Sequence, residues 1–147
     1  MQAMLFSPAE EVRDRIASAI LTLPTPSNEY DVLSVLKGRD AFGRHRAVSI
    51  ETIQTFLPLS QRAVRDTIKT LLEEHDIPIG SSRIPGQHGY FFCISDEDAA
   101  FATRHLKNEI FSLFARIKKL DPKSKFVREL QGQMMIMEGE ESDEDSN

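Results

Sequence analysis

The segment SIETIQTFLPLSQRAVRDTIKTLL, residues 49–72, predicts a short helix, a tight turn and a longer helix. Ser49 and Ser60 can cap the two helices, because a serine hydroxyl accepts the free amide hydrogens of a first helical turn. Pro58 lies between them and interrupts the helical backbone. Apolar residues at helical spacing should face inward in both helices. They are Ile50, Ile53 and Phe56 or Leu57 in the first helix, and Val64, Ile68, Leu71 and Leu72 in the second.

The outward side of the longer helix is polar and cationic. Four residues share it at helical spacing: Gln61, Arg62, Arg65 and Lys69. A helix of about residues 60–74, buried along one side and cationic on the other, matches a recognition helix in a DNA major groove. The alternative is a solvated face with local ion pairs between residues four apart. The segment alone leaves both interpretations open.

The acidic total charge is unevenly distributed. The 147 residues carry a formal charge of −5, but the last ten, EGEESDEDSN, contain six acids and no base. Residues 1–137 therefore sum to +1. Between Lys37 and Thr70, seven Lys or Arg stand against three Asp or Glu. The total charge therefore does not exclude a nucleic-acid partner, and the acidic end is predicted to be disordered.

Composition indicates one domain with appendages and a sizeable core, since 40% of the residues are hydrophobic. Cys93 is the only cysteine, which rules out an internal disulfide and fits a reducing compartment. No apolar run approaches the length of a membrane span, and the N-terminus lacks a signal-peptide pattern. We therefore expect a cytoplasmic protein without a membrane partner.

Two prolines divide the N-terminal region from the rest. Ser7 and Pro8 begin a predicted helix that ends by Leu23, because Pro24 and Pro26 cannot continue it. Residues 1–26 are therefore predicted to form an N-terminal arm with one helix. A second helix should run from about Asn28 to Lys37 and stop at Gly38.

A polar loop and a hairpin flank the segment described first. The loop 38–46, GRDAFGRHR, carries Arg44, His45 and Arg46, which can bind phosphates through positive charge. Ala47 and Val48 follow as a predicted short strand. The runs IPIG (77–80) and GYFFCI (89–94) enclose a loop with Pro85 and Gly86, as in a β-hairpin. Arg83 lies in that loop.

Residues 27–94 thus predict helix, short strand, helix, turn, helix and hairpin in that order. The order resembles the winged helix-turn-helix family, and IPIGSS followed by GYFFCIS resembles the wing of small winged-helix proteins of phages and mobile elements. The resemblance implies a mainly α fold with a small β-hairpin. It also implies that Gln61, Arg62, Arg65 and Lys69 face bases or phosphates, with Arg83 on the wing and Arg44, His45 and Arg46 near the backbone. Winged-helix domains also serve as protein-binding modules.

Residues 95–130 are predicted as a long C-terminal helix that runs to Leu120, with a possible role in dimerisation. Its apolar residues follow a 4-3-4-3 spacing: Leu106, Ile110, Leu113, Ile117 and Leu120. The stripe suits either a second copy of the chain, giving a homodimer, or packing against the N-terminal helix. One or two helical turns are expected over residues 123–130. Residues 131–147 are predicted as an apolar patch, QGQMMIM, and a disordered acidic tail.

Catalytic signatures are lacking, so we expect no enzyme, no cofactor and no metal. The chain has no phosphate-binding glycine loop, no H-E-x-x-H and no paired cysteines. Residues 2–6, QAMLF, resemble the Q-x-x-L-F peptides that dock bacterial proteins on the replication sliding clamp, although so short a pattern also arises by chance.

The first hypothesis is a dimeric transcription regulator that binds double-stranded DNA in a bacterial cell or phage-infected host. The alternative is a winged-helix protein-interaction module in replication or assembly, with little or no DNA binding.

Overall fold

The computed structural model describes residues 8–145, with side chains over residues 9–136. This part of the chain is mainly helical with one small antiparallel hairpin, as the sequence predicts. The helices are α1 (Pro8–Thr22), α2 (Asn28–Gly38), α3 (Ile50–Phe56), α4 (Gln61–His75), α5 (Asp96–Leu120) and α6 (Lys125–Asp145). The strands are β1 (Ile79–Ser82) and β2 (Gly89–Phe92), and Arg44–Arg46 form one 3₁₀ turn. None of the described helices is long and apolar enough to cross a bilayer. The clamp-like residues 2–6 lie outside the described residues.

The helix starts follow the predicted serines. The side-chain oxygen of Ser49 accepts the Thr52 amide hydrogen at 3.1 Å, and Ser60 accepts that of Ala63 at 3.1 Å. Ser27 caps α2 in the same way. These hydroxyls satisfy amides that have no partner within the helix, which fixes where each helix begins.

The first helix belongs to the same core as the helices that follow it. Val12 and Ile16 of α1 are buried with Val32 and Leu33 of α2, on which α1 packs. The helix that the sequence places in an N-terminal arm over residues 1–26 thus contributes side chains to the same core as α2. An amphipathic helix stabilises a chain chiefly by burying its apolar stripe, and here the short connection after Leu23 brings the stripe back onto α2.

The hairpin is antiparallel, with Ile79 opposite Phe92 and Ser82 opposite Gly89. The predicted strand at Ala47 and Val48 is reduced to one bridge, in which Val48 and Tyr90 exchange two backbone hydrogen bonds of 2.8 Å. Gly89 has a φ of +133°, and a Cβ at this position would collide with the backbone of Val48. Glycine at this position therefore lets the hairpin approach the segment that precedes α3.

The chain divides into two compact units, residues 1–104 and 105–147. The boundary lies within α5, so the start of this helix belongs to the first unit rather than to a region beginning at residue 95. Asp98 explains the shift: it is buried, and it accepts hydrogen bonds from the backbone amides of Arg44 and Ile94.

In the second unit the apolar stripe of α5 stays exposed, with Leu106 at 49%, Ile110 at 52% and Leu113 at 47% exposure. On α6, Val127 and Met134 are buried. This helix is longer than the predicted one or two turns and continues to Asp145, so it covers most of the run for which the sequence predicts disorder. Gln, Met and Glu have high helix propensity, and this propensity favours a helix without requiring a buried core.

Candidate nucleic-acid interface

The outward side of α4 carries its four predicted residues in exposed positions. A guanidinium nitrogen of Arg65 lies 3.4 Å from the Gln61 side-chain oxygen, one turn before it. Arg62 is 91% exposed at its side chain and lies 4.0 Å from Asp66, which is the local pairing that the alternative interpretation predicts. Exposed pairs of this kind are weak and exchange readily with other partners. Gln61, Arg62, Arg65 and Lys69 are therefore available to a ligand.

The inward side of α4 differs from the prediction at two positions. Leu72 is 44% exposed, whereas Thr67 is 4% exposed. The Thr67 hydroxyl donates to the Ala63 carbonyl oxygen at 2.7 Å, so the polar group is satisfied within its own helix and can be buried. The buried side of α4 is thus turned slightly around the helix axis, toward Thr67 and away from Leu72, compared with the side that apolar spacing alone predicts.

A groove joins α4 to the hairpin. A cavity of about 490 Å³ is lined by Arg65 of α4, by Arg83 and His88 of the hairpin loop, and by Tyr90 of β2. Burial raises the pKa of the Tyr90 hydroxyl above its usual value, and the neighbouring Arg65 guanidinium partly offsets that effect. The structure therefore brings Arg65 and Arg83, which are 18 positions apart in the sequence, to one cavity.

The basic loop and the hairpin meet at a second cavity of about 350 Å³. Its lining includes Arg39, His45, Arg46 and His88, together with two hydroxyl residues, Ser49 and Thr52. Acidic neighbours lie close to two of these groups. Arg46 lies 3.4 Å from an Asp40 carboxylate oxygen, and His88 lies 3.6 Å from a Glu51 carboxylate oxygen.

Guanidinium, imidazole and hydroxyl groups around one concave surface are the donors that bind phosphate in protein–DNA contacts. His88 lines both cavities. The two sites are therefore adjacent, and together with the exposed side of α4 they form what we call the α4–wing surface. It comprises Arg39, His45, Arg46, Gln61, Arg62, Arg65, Lys69, Arg83, His88 and Tyr90.

Arg44 has a different environment from the rest of the basic loop. Its side chain is 26% exposed and lies 3.5 Å from Asp98 and 3.6 Å from Glu97. Because its amide hydrogen also bonds to Asp98, Arg44 anchors the start of α5. Arg44 lines neither of the two cavities, so the structure does not bring it together with His45 and Arg46.

Three members of this surface were not among the site residues predicted from the sequence: Arg39, His88 and Tyr90. Arg39 directly follows α2 and belongs to the basic loop, so local charge could have included it. Tyr90 alternates with the buried Phe91 in β2, and strand alternation could have placed it on the opposite side. The sequence offers no signal for its proximity to Arg65.

A contrasting cavity of about 930 Å³ lies along α1 near the end of α4, and four acidic residues line it: Glu10, Glu11, Asp14 and Asp76. Arg15 and His75 also line this cavity, so acidic residues outnumber basic ones. Such a surface repels phosphate. Among the residues that the structure describes, no group of three or more His, Cys, Asp or Glu side chains is placed to hold a metal ion.

Comparisons of the chain with protein-family models, with curated proteins and with solved structures found no match. The resemblance to the winged helix-turn-helix family therefore stays a prediction.

Proposed function

We propose that this chain is a winged-helix DNA-binding protein, with α4 in the major groove and the hairpin loop against the flanking backbone. The observation that carries the proposal is the convergence of three separate segments on the α4–wing surface. These are the basic loop, α4 and the hairpin loop, and the last contributes His88 to both cavities.

The dimensions of α4 fit base contacts. From Gln61 to Lys69 the helix rises about 12 Å, which is roughly three to four base-pair steps. Arg and Gln are side chains that can make two hydrogen bonds to one base, Arg to guanine and Gln to adenine. In this arrangement Gln61 and Arg65 contact bases, while Arg62 and Lys69 contact either bases or phosphates.

The two cavities suit the phosphate contacts that position such a helix. His45 and Arg46 approach one phosphate group, with Arg39 beside them, and Arg83 approaches another. Asp40 and Glu51 are exposed acids, and they exchange their contacts with Arg46 and His88 for solvent when a phosphate takes their place. The loss of these local contacts offsets part of the electrostatic free energy that each phosphate contact provides. Affinity then depends more on how well the α4–wing surface fits the DNA groove.

Fluorescence anisotropy on duplex DNA across a salt series tests the proposal. We expect binding by the intact chain that weakens steeply with salt, because phosphate contacts release counterions. A version ending at Met137 should bind more tightly, since it lacks the six acids of the last ten residues. Absence of binding by both versions at low salt would refute the proposal.

Single-residue variants distinguish base contacts from phosphate contacts. Arg65→Ala should cost about 1–3 kcal/mol on the preferred sequence and relax the preference at one base pair. An equal loss on every sequence, with a salt slope smaller by about 0.9, would make Arg65 a phosphate contact instead.

Arg15→Ala is the matched control. It removes the same charge, but Arg15 pairs with Glu11 at 2.9 Å and lines the acidic cavity. Arg15 donates to the Asp76 carbonyl oxygen at the end of α4, about 15 Å along the helix from Arg65. DNA affinity should therefore be almost unchanged in this variant, and an equal loss in both variants would show only a response to net charge.

A second candidate function is a protein-interaction module, and the exposed apolar residues of α6 favour it. Met135 and Ile136 are each 65% exposed, and Phe126 is 57% exposed. In this role the chain recruits a replication or assembly factor with little or no contact to DNA. Deletion of residues 131–147 should then abolish capture of the partner, while the Arg65→Ala variant should still capture it.

A further inference from the structure

The most extensive feature that the proposed function leaves unused is the apolar stripe of α5. Five residues form it, and all are exposed in the single chain: Leu106, Ile110, Leu113, Ile117 and Leu120. Their exposed fractions range from 38% for Ile117 to 86% for Leu120. A continuous row of half-exposed aliphatic side chains over four helical turns is costly in water and marks an interaction surface.

The spacing of the stripe identifies its occupant. Steps of four, three, four and three residues place Leu106, Leu113 and Leu120 at the d positions of a heptad, and Ile110 and Ile117 at the a positions. β-Branched residues at a with leucine at d favour two parallel strands over trimers and tetramers. In a pair of copies, each apolar side chain of one α5 can insert between four side chains of the other α5, as in the packing of a coiled coil.

One of the two flanking g–e pairs in this register is complementary in charge, whereas the other places Glu109 beside Phe114. In this register Arg116 occupies a g position, and Asp121, the residue after α5, occupies the following e position. Parallel dimers place g of one helix beside the next e of its partner, so Arg116 faces the partner's Asp121 on both sides of the pair. The outward b, c and f positions of this register carry Asn108, Phe111, Ser112, Ala115, Lys118 and Lys119, and all but the half-buried Phe111 are exposed. A mostly polar outer side is expected where one stripe is covered.

We infer that Leu106–Leu120 of α5 pairs with the same segment of a second copy as a parallel two-stranded coiled coil. The inference itself does not require DNA binding. Only its consequence rests on the proposed function: a two-fold symmetric dimer presents two α4 helices and selects an inverted repeat, because each α4 contacts one half-site.

Analytical ultracentrifugation without DNA tests the pairing. We expect the intact chain to sediment at about twice its mass of 16.7 kDa. Leu113→Glu should weaken self-association by about 100-fold or more, since each copy loses a buried leucine and two carboxylates face one another. Its folding should persist by circular dichroism, because Leu113 is 47% exposed in the single chain.

The matched control is Ser112→Glu, which adds the same charge one position away on the exposed outer side. It should remain a dimer. A monomeric intact chain at about 100 μM would refute the pairing, and so would equal loss of association in both variants.

Disulfide cross-linking tests the orientation. With Cys93 replaced by Ser, Leu120→Cys supplies the only thiol of the chain. In a parallel pair the two introduced thiols adjoin, and oxidation with copper phenanthroline should give a covalent dimer. An antiparallel pair separates them by about 20 Å, so a dimer without this cross-link would refute the parallel arrangement. Failure of DNA binding with an intact dimer would refute the proposed function and leave this inference standing.

Discussion

The amphipathic helices α4 and α5 differ in whether their apolar side chains are buried within their own chain. α4 buries Val64 and Leu71 completely within its own chain, whereas α5 leaves Leu113 and its neighbours about half exposed. Both helices have the 3.6-residue periodicity that predicts a helix with an apolar side. Periodicity thus indicates that a side will be covered, but it does not indicate whether the same chain or another molecule covers it.

The largest expected effect tests this difference directly. Leu71→Ala should lower the free energy of unfolding by roughly 2–5 kcal/mol, because it leaves a cavity in a closely packed core. Leu113→Ala removes the same atoms from α5 and should cost less than about 0.5 kcal/mol at concentrations where the chain is monomeric. Urea denaturation monitored by circular dichroism measures both. Similar losses in the two variants would show that α5 is covered within its own chain.

The hairpin provides the next test, since α4 forms the α4–wing surface only if the hairpin stays beside it. Gly89→Ala should cost about 2–3 kcal/mol, because the added Cβ meets the Val48 backbone and φ is positive. The control is Gly86→Ala, which also has a positive φ but meets no atom within 4 Å. It should cost about 1 kcal/mol. Equal losses of stability in the two variants on thermal denaturation would show that the positive φ, and not the contact with Val48, causes the whole effect.

The first turn of α5 has a buried side chain, as α4 does, whereas the apolar stripe later in the same helix is about half exposed. Asp98 is 4% exposed and accepts hydrogen bonds from the amides of Arg44 and Ile94. Asp98→Ala leaves these partners unsatisfied and should cost about 1–3 kcal/mol in urea denaturation. Asp96→Ala, an exposed acid in the same turn, should cost about 0.3–1 kcal/mol through the helix dipole alone. If Asp98→Ala lowers the free energy of unfolding no more than Asp96→Ala does, Asp98 does not anchor the start of α5.

A chemical effect, which leaves stability at neutral pH unchanged, concerns Cys93 between the hairpin and this anchor. Burial and the nearby Asp98 carboxylate raise the pKa of the Cys93 thiol to about 11, against a smaller opposing hydrogen bond from the Gly80 backbone. At pH 8 only about 0.1% of the thiol is then ionised in the folded chain, compared with roughly 10% in the unfolded chain, where the thiol has its ordinary pKa of 9.0.

Reaction with a disulfide reagent at pH 8 should therefore be about 100-fold slower in the folded chain than in urea. Stability should fall as the pH rises from about 9 to 11, because the unfolded thiol loses its proton first. The Asp98→Asn variant should react faster than the parent, and an unchanged rate would remove the carboxylate as a cause of the raised pKa.

Much of the fold follows from local sequence features. Ser49 and Ser60 cap their helices as predicted, and the strand-forming runs around Pro85 and Gly86 form the hairpin. Each of these depends on a hydrogen bond or a backbone preference within a few residues, so the sequence carries the information. The exposed side of α4 was predictable for the same reason, since helical spacing alone defines it.

The candidate site was only partly predictable. The sequence grouped Arg44 with His45 and Arg46 by charge, but the fold turns Arg44 toward Asp98, 54 positions away. Conversely, Tyr90 and Arg65 meet only because the hairpin folds back beside α4. Ion pairs and cavities depend on which distant groups adjoin, and no local pattern encodes that choice.

By itself the sequence determined where helices and strands begin, which side of α4 is cationic, and that α5 carries a heptad stripe. These properties come from capping, backbone angles and periodicity, which act over one or two turns. The tertiary structure alone decided that α1 shares the core, that Asp98 fixes the start of α5, and that loop, α4 and hairpin build one surface. Those outcomes follow from burying apolar area and satisfying polar groups across the whole chain, which requires all of its elements to be in place at once.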